Sequence, residues 1–288
     1  MADALVSMNQ YSTKLDFDKA VRMYHEAGYG GIGVWFDGML EYGADNVTFK
    51  GLMDYGVDEA VRLLKEVPIK VTHVIYAGPF NQTSESEYVA AREKDREKIR
   101  AAGRVGAETV LALTGPADGI SPEEGLRLVV RGLCDLAETA REAGVKIGLE
   151  PLHFNLYKDS FLFRLTDALD IIEEVDHPSV GVFFDVYHVW HEVEILNTIQ
   201  RAKGKIVGCH ICDFRRINRH IADRVFMGDG VIPIRELLNA LKDAGWDRWY
   251  DIEIISHELW QMDPRDFLKL GMEKYKKLWE EPSGAVAP

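Results

Sequence analysis

The residues best suited to chemistry stand where four short apolar runs end. In residues 179–191, SVGVFFDVYHVWH, a run of β-forming residues stops at Asp185, and His188 follows three positions on. With a strand's period of two, Gly181, Phe183 and Asp185 share one face, so Asp185 falls at the strand's C-terminal mouth. An ionised carboxylate beside so much apolar surface needs a cation or hydrogen-bond donors. The plainer alternative is that Asp185 only caps a helix beginning near Val189. Residues 145–150 (VKIGLE), 205–211 (KIVGCHI) and 249–255 (WYDIEII) repeat the pattern with Glu150, His210 and Glu253. The separations of 35, 25 and 43 residues are each about one βα unit or slightly more, so four successive parallel strands would bring the four side chains to one point.

Three carboxylates and an imidazole make a mostly hard, oxygen-rich set. It suits one divalent ion, Mn²⁺ first with Mg²⁺ or Co²⁺ as alternatives, rather than a closed structural zinc. Open coordination positions would polarise the carbonyl of a keto-sugar and acidify the neighbouring C–H. Glu150 and Glu253 are then the expected catalytic pair. On opposite faces of the carbon they would epimerise it, whereas a leaving group β to the carbanion would depart by elimination. The contrasting reading is a non-catalytic binding subunit whose metal is structural.

Alternating strands and helices must position these residues. Strands are expected at 4–8, 32–36, 69–76, 109–113, 145–150, up to 185, 205–211 and 249–255, with helices at 17–27, 57–66, 85–105, 121–143, 166–174, 192–202, from Pro233, and at 265–279. Asp16 is the expected N-cap of the first helix, and Ser121-Pro122-Glu123-Glu124 supplies a cap, a helix-opening proline and a capping-box glutamate. Eight βα units make a closed parallel (β/α)8 TIM barrel over residues 1–280, with a disordered tail at 281–288. The long connections, 37–56, 77–85, 114–121, 151–165 and 212–232, all lie on the ligand-bearing side, where such barrels keep their chemistry. Gly28-Tyr29-Gly30-Gly31-Ile32-Gly33 fits GxGxxG by letter but runs from helix to strand, the reverse of a dinucleotide fold.

A chain of 288 residues, 47% hydrophobic, buries a substantial single core. Its net charge of −13 argues against nucleic acid and anionic membrane as partners, leaving a small molecule. With no signal-like start and no apolar run near the ~20 residues of a membrane span, a cytoplasmic protein is expected. Cys134, Cys209 and Cys212 form no disulfide framework, because a strand would point the last two to opposite faces.

The order Glu150, Asp185 with His188 three on, His210, Glu253 resembles the xylose-isomerase-like barrel superfamily of sugar isomerases and epimerases over nearly the whole chain. Its ketose 3-epimerases imply that these four hold the ion, and that His188 and Arg216, six after His210, contact substrate. Glu150-Pro151-Leu152-His153 and the CDFRR…MGDG loop look more like the inosose-dehydratase-like and C-glycoside deglycosidase α-subunit branch. That likeness implies His153 as a base and, as the favoured outcome, elimination from a 3-oxo-glycoside, with keto-sugar isomerisation or 3-epimerisation as the alternative. It also implies a small accessory (β) subunit, a homo-oligomer being the other option. A DNA-repair endonuclease of the same superfamily would want a phosphate-binding face that this acidic chain does not offer.

His73 is either a substrate ligand or a satisfied core histidine, and His257 and Trp260 are candidates to line the pocket. Trp35, Tyr42, Phe49 and Met53 read as a hydrophobic cover for an aromatic aglycone or a partner subunit. Arg215, Arg216, Arg219 and Arg224 make one basic loop that either binds an anion or offsets Asp213, Asp223 and Asp229.

Overall fold

The structure, a computed structural model, describes residues 5–42 and 45–280; the side chains of 39–47 and the tail at 281–288 lie outside what is described. Eight parallel strands close into a barrel: β1 Val6–Asn9, β2 Gly31–Trp35, β3 Lys70–Ala77, β4 Thr109–Ala112, β5 Lys146–Leu149, β6 Val180–Asp185, β7 Ile206–Ile211 and β8 Tyr250–Ile252. Each strand pairs with its sequence neighbours and β8 closes onto β1. The outer ring is α1 Phe17–Glu26, α2 Val57–Glu66, α3 Glu85–Arg104, α4 Pro122–Ala143, α5 Leu165–Val175, α6 Ile195–Arg201, α7 Ile234–Asp243 and α8 Pro264–Glu280. The expected TIM barrel is therefore the observed fold, and no described helix is long and apolar enough to cross a membrane.

Local chemistry explains most boundaries. Ser121 Oγ accepts from the Glu124 amide at 3.2 Å and Pro122 opens α4, while Gly144 ends it at φ 72°, a conformation that glycine takes without strain. Asp16 is the N-cap residue of α1 as expected, but its side chain makes no cap bond and instead accepts from the Lys50 amide at 3.0 Å, tying the second connection to α1. The expected helix at 192–202 is shorter, because Asp185 caps a separate turn, Val186–Val189, and Glu194 at φ 61° breaks the chain before α6. The 37–56 connection carries a hairpin of Met39–Tyr42 with Asp45–Thr48 and the turn Leu52–Tyr55.

The core divides in two. Between strands and helices lies a continuous apolar layer, and inside the barrel Phe183 fills the lumen so tightly that a Cβ on Gly208 would lie 2.1 Å from its ring. Above Phe183, Tyr11, Trp35, Phe49, Ile75, Leu111 and Ile255 form a second apolar group that faces the C-terminal mouth.

Candidate metal centre

Glu150 follows β5, Asp185 ends β6, His210 lies in β7 and Glu253 follows β8; all four are buried. His210 is paired in register with Asp185 on one side and Asp251 on the other. Its Nδ1 lies 3.3 Å from Glu150 Oε1, 3.6 Å from Glu253 Oε2 and 3.9 Å from Asp185 Oδ2. Single ligand atoms of Glu150, Asp185 and His210 all fall within 4.8 Å of one another. The two oxygens of Asp185 divide the work: Oδ1 accepts from the Tyr187 amide at 2.8 Å and caps the turn, while Oδ2 faces the cluster. Capping and convergence are thus not alternatives at this residue.

These donors fit a divalent cation. Glu150 Oε1 and His210 Nδ1 are buried and face each other at 3.3 Å, with no other hydrogen-bond partner at either atom, a pair that a shared cation could replace. Burial pushes Glu150 up to about 7, with the Asp185 and Glu253 carboxylates adding to the rise. Burial would lower His210, but Glu253, Glu150 and Asp185 together raise it to about 10. The cluster is therefore rich in negative charge and holds protons where a metal ion would otherwise neutralise it.

One cation is already present. Arg224 is buried, its Nη1 lies 2.8 Å from Glu253 Oε2 and 3.2 Å from Asp185 Oδ2, and its guanidinium stacks over Tyr187 at 4.2 Å. His188 sits beside it, with Nε2 3.4 Å from Asp185 Oδ2 and Nδ1 accepting from the His153 backbone amide at 3.0 Å. Because Nδ1 accepts, the neutral ring carries its hydrogen on Nε2, where Asp185 Oδ2 at 3.4 Å accepts it and Arg224 Nη2, also at 3.4 Å, is a donor that makes no bond to it. Burial and the Arg224 charge keep His188 well below the usual histidine range, so it is neutral.

Above the cluster opens a cavity of about 150 Å³. One wall is apolar, with Trp35, Ile75, Tyr76, Leu111, Leu113 and Ile255. The other carries Glu150, Lys158, Asp159, His188, Arg224 and Glu253. Trp35 is fixed by its indole N–H donating to Asn9 Oδ1 at 3.0 Å.

Four expected residues stand elsewhere. Arg216 is exposed and does not line the cavity; the arginine in the mouth is Arg224, turned inward by a short antiparallel pairing of Asp213–Phe214 with Arg224–Val225. Asp213 anchors that loop, its carboxylate accepting the amides of Phe214, Gly228, Gly230 and Ile232 at 2.8–3.0 Å. Arg215 and Arg219 are taken up by Asp223 and Glu258. His153 also stands outside the cavity lining: its Nδ1 accepts from the Asn155 amide at 3.2 Å, capping the turn Phe154–Leu156, and its ring lies 5.0 Å from that of His191. Only its backbone reaches the site. His73 lies below His210 in the barrel interior, away from the cavity, and His257 packs its ring against His220 and Trp260. Of the expected hydrophobic cover, Trp35 is buried in the cavity wall, Phe49 is buried, Met53 is exposed, and the side chain of Tyr42 lies outside what is described. Cys209 and Cys212 are both buried and free, with Cys212 Sγ 3.9 Å from Arg224 Nη1.

Comparison with known proteins places this geometry among relatives. The family described as xylose isomerase-like TIM barrel matches residues 21–278. Inosose isomerase of Bacillus licheniformis is 25% identical over 199 residues, covering 67% of this chain and 70% of the relative. Fructoselysine 3-epimerase of Shigella flexneri is 23% identical over 274 residues, covering 93% and 95%. The IOLI protein, whose crystal structure contains a bound zinc atom, superimposes with a TM-score of 0.80 at 20% identity, covering 95% of this chain and 97% of the other.

Proposed function

The chain belongs to the xylose isomerase-like TIM barrel family, and from that premise we propose that it is a divalent-metal-dependent sugar isomerase or epimerase, which moves a proton at the carbon next to the carbonyl of a keto-sugar or inosose. The observation that carries the reading is the convergence of the Glu150, Asp185 and Glu253 carboxylates within 4.0 Å of His210 Nδ1, at the floor of a small cavity. Its inosose isomerase and fructoselysine 3-epimerase relatives support the same class of chemistry. The ion we propose is Mn²⁺, with Mg²⁺ and Co²⁺ as close alternatives, because three carboxylates outweigh one imidazole in the donor set.

A divalent ion held there would supply a Lewis acid that polarises the substrate carbonyl. The chain's residues do the rest. Glu150 and Glu253 come from strands on different sides of the mouth and are the proposed proton acceptor and donor for the two faces of the carbon. Arg224 holds Glu253 by its charge-assisted bond and keeps that carboxylate oriented. The neutral His188, with Nε2–H directed into the site, is a donor for a substrate oxygen. The apolar wall of Trp35, Ile75 and Leu111 excludes water from the carbanion's other side.

Elimination from a 3-oxo-glycoside drew its support from His153. With that imidazole capping the turn at Phe154, isomerisation or epimerisation is better supported. The test is incubation of Mn²⁺-loaded protein with ketoses, inososes and 3-oxo-glycosides in D₂O, followed by NMR. Deuterium at the carbon next to the carbonyl without aglycone release is the expected result. A metal-free protein as isolated, or turnover without any exchange, would overturn the reading.

A further inference from the structure

His210 has a second neighbourhood, on the side facing away from the carboxylates, and the contacts there form a single directed chain. Thr72 Oγ1 donates to the Ile32 carbonyl oxygen at 3.2 Å, with Ser7 Oγ a second acceptor at 3.5 Å, so the hydroxyl hydrogen is directed away from His73. The same oxygen lies 3.0 Å from His73 Nδ1 and must therefore accept, which puts the hydrogen of His73 on Nδ1 and a lone pair on Nε2. His73 Nε2 in turn lies 2.9 Å from His210 Nε2, so His210 donates from that nitrogen. The remaining nitrogen of His210, Nδ1, is the one that faces Glu150, Glu253 and Asp185. Every link of this chain is buried.

The proposed metal centre needs that arrangement, and on this reading we propose that His73 is a positioning residue that fixes the tautomer of His210, keeping the Nδ1 lone pair open toward the ion. Two neighbours bear on the same nitrogen. Asp251 Oδ2, 3.6 Å from His210 Nε2, favours a hydrogen there and so acts in the same sense as His73; it also lies 3.8 Å from His73 Nε2, a longer contact that pulls the other way. Asn9 Nδ2, at 3.5 Å, is a donor that opposes it, and it is farther from that nitrogen than His73 Nε2 at 2.9 Å. The backbone also makes room for the ring: a Cβ on Gly33 would lie 2.4 Å from His73 Cε1 and 2.7 Å from Nε2, so the strand beside His73 carries the one residue that leaves the imidazole in place. Outer partners of this kind contribute about 10–100-fold to metal affinity in proteins generally.

The experiment is titration of the metal-stripped full chain with Mn²⁺, followed by electron paramagnetic resonance of the free ion, for wild type, His73→Phe and His73→Gln. Phenylalanine fills the space without an acceptor, so affinity should fall about 10–100-fold. Glutamine can place its amide oxygen near the position of Nε2 and should recover binding to within about threefold of wild type. Circular dichroism establishes that each variant is folded. If His73→Phe does not fold, Thr72→Val decides by the same titration, since it removes the acceptor for Nδ1–H, together with the hydroxyl's own bond to Ile32, and leaves both imidazoles in place: weakening of threefold or more supports the proposal, and weakening of less than threefold overturns it. Wild type that binds no Mn²⁺ overturns the metal-dependent function itself. Tight binding by wild type together with equal binding by folded His73→Phe overturns only the role of His73 and assigns the tautomer to Asp251.

Discussion

Arg92 and Arg224 are among the largest fully buried side chains of the molecule, and both lie over an aromatic ring, Phe80 at 4.3 Å and Tyr187 at 4.2 Å. Their charge surroundings differ. Arg92, on α3, sits 2.8 Å from Asp95 and donates to the Pro79 carbonyl, while Asp95 accepts the Gly78 amide: one positive charge, one negative charge. Arg224 shares its neighbourhood with Asp185 and Glu253 directly and with Glu150 across His210, so one guanidinium stands among three carboxylates. Burial lowers Arg92 and raises Asp95 from their usual values, as expected of an isolated pair taken out of water. Arg224 is instead driven upward despite its burial, because the carboxylates and the Cys212 and Tyr187 groups around it outweigh that cost. A balanced buried pair belongs to the architecture; a buried excess of carboxylates is what the proposed metal centre would use.

The contrast can be broken at its strongest point first. Asp185→Ala should abolish stoichiometric Mn²⁺ binding and reduce proton exchange by about 10³-fold or more, while leaving thermal stability less affected than its burial suggests, since it relieves part of the surplus. Metal analysis beside deuterium exchange decides it, and full metal content in that variant would defeat the assignment.

Next comes the balanced pair. Arg92→Met should cost about 3–5 kcal/mol by leaving Asp95 buried and alone, whereas Arg92→Met combined with Asp95→Leu should restore much of that loss. Denaturant unfolding measures both, and the folded fraction of each should still take up Mn²⁺.

Arg224→Gln sharpens the comparison from the other side. Removing the resident cation should tighten Mn²⁺ binding by about tenfold, worth ~1.4 kcal/mol, while lowering turnover because Glu253 loses its partner. Weaker metal binding in this variant would mean that Arg224 supports the ion rather than competing with it.

The smallest effect is on pH dependence. Glu150 at about 7 and His210 at about 10 both hold protons more tightly in the folded, metal-free protein than in the unfolded chain. Their stabilising contribution is complete below the unfolded values and is lost as pH rises through the folded ones. The metal-free protein should therefore lose stability between roughly pH 4.5 and 10, and the rise in Tm on adding Mn²⁺ should grow over the same window. A Tm increment independent of pH would show that these groups do not exchange protons for metal.

The convergence of the proposed ligands was legible because each stands at or beside the end of a short, strongly β-forming run, and parallel strands in register leave their ends at one level. Asp185, Glu150, His210 and Glu253 needed no knowledge of the loops. Arg224 did, since choosing it over Arg216 requires knowing that residues 213–214 pair back with 224–225, a contact no periodicity announces. His153 misled for a related reason: proline fixes how the chain leaves β5, but the imidazole's direction is set by the Asn155 amide it caps. Strand alternation could place His73 on a face, yet its value lies in hydrogen-bond direction, which depends on Thr72 and Ile32 together.

The Asp213 clamp has a consequence for how this barrel can be altered. Four main-chain amides, and no side chain, satisfy that carboxylate, and a Cβ on Gly230 would lie 2.3 Å from it. The clamp holds the loop's ends, but Ala222, Phe226 and Met227 between them are buried in the cores, and the main chain at 222 and 224 bonds to His257 and Ile255 after β8. Variation that leaves the barrel undisturbed is therefore confined to the exposed crest, at Arg216, Ile217 and His220, while any change from 222 to 227 is transmitted to the barrel itself.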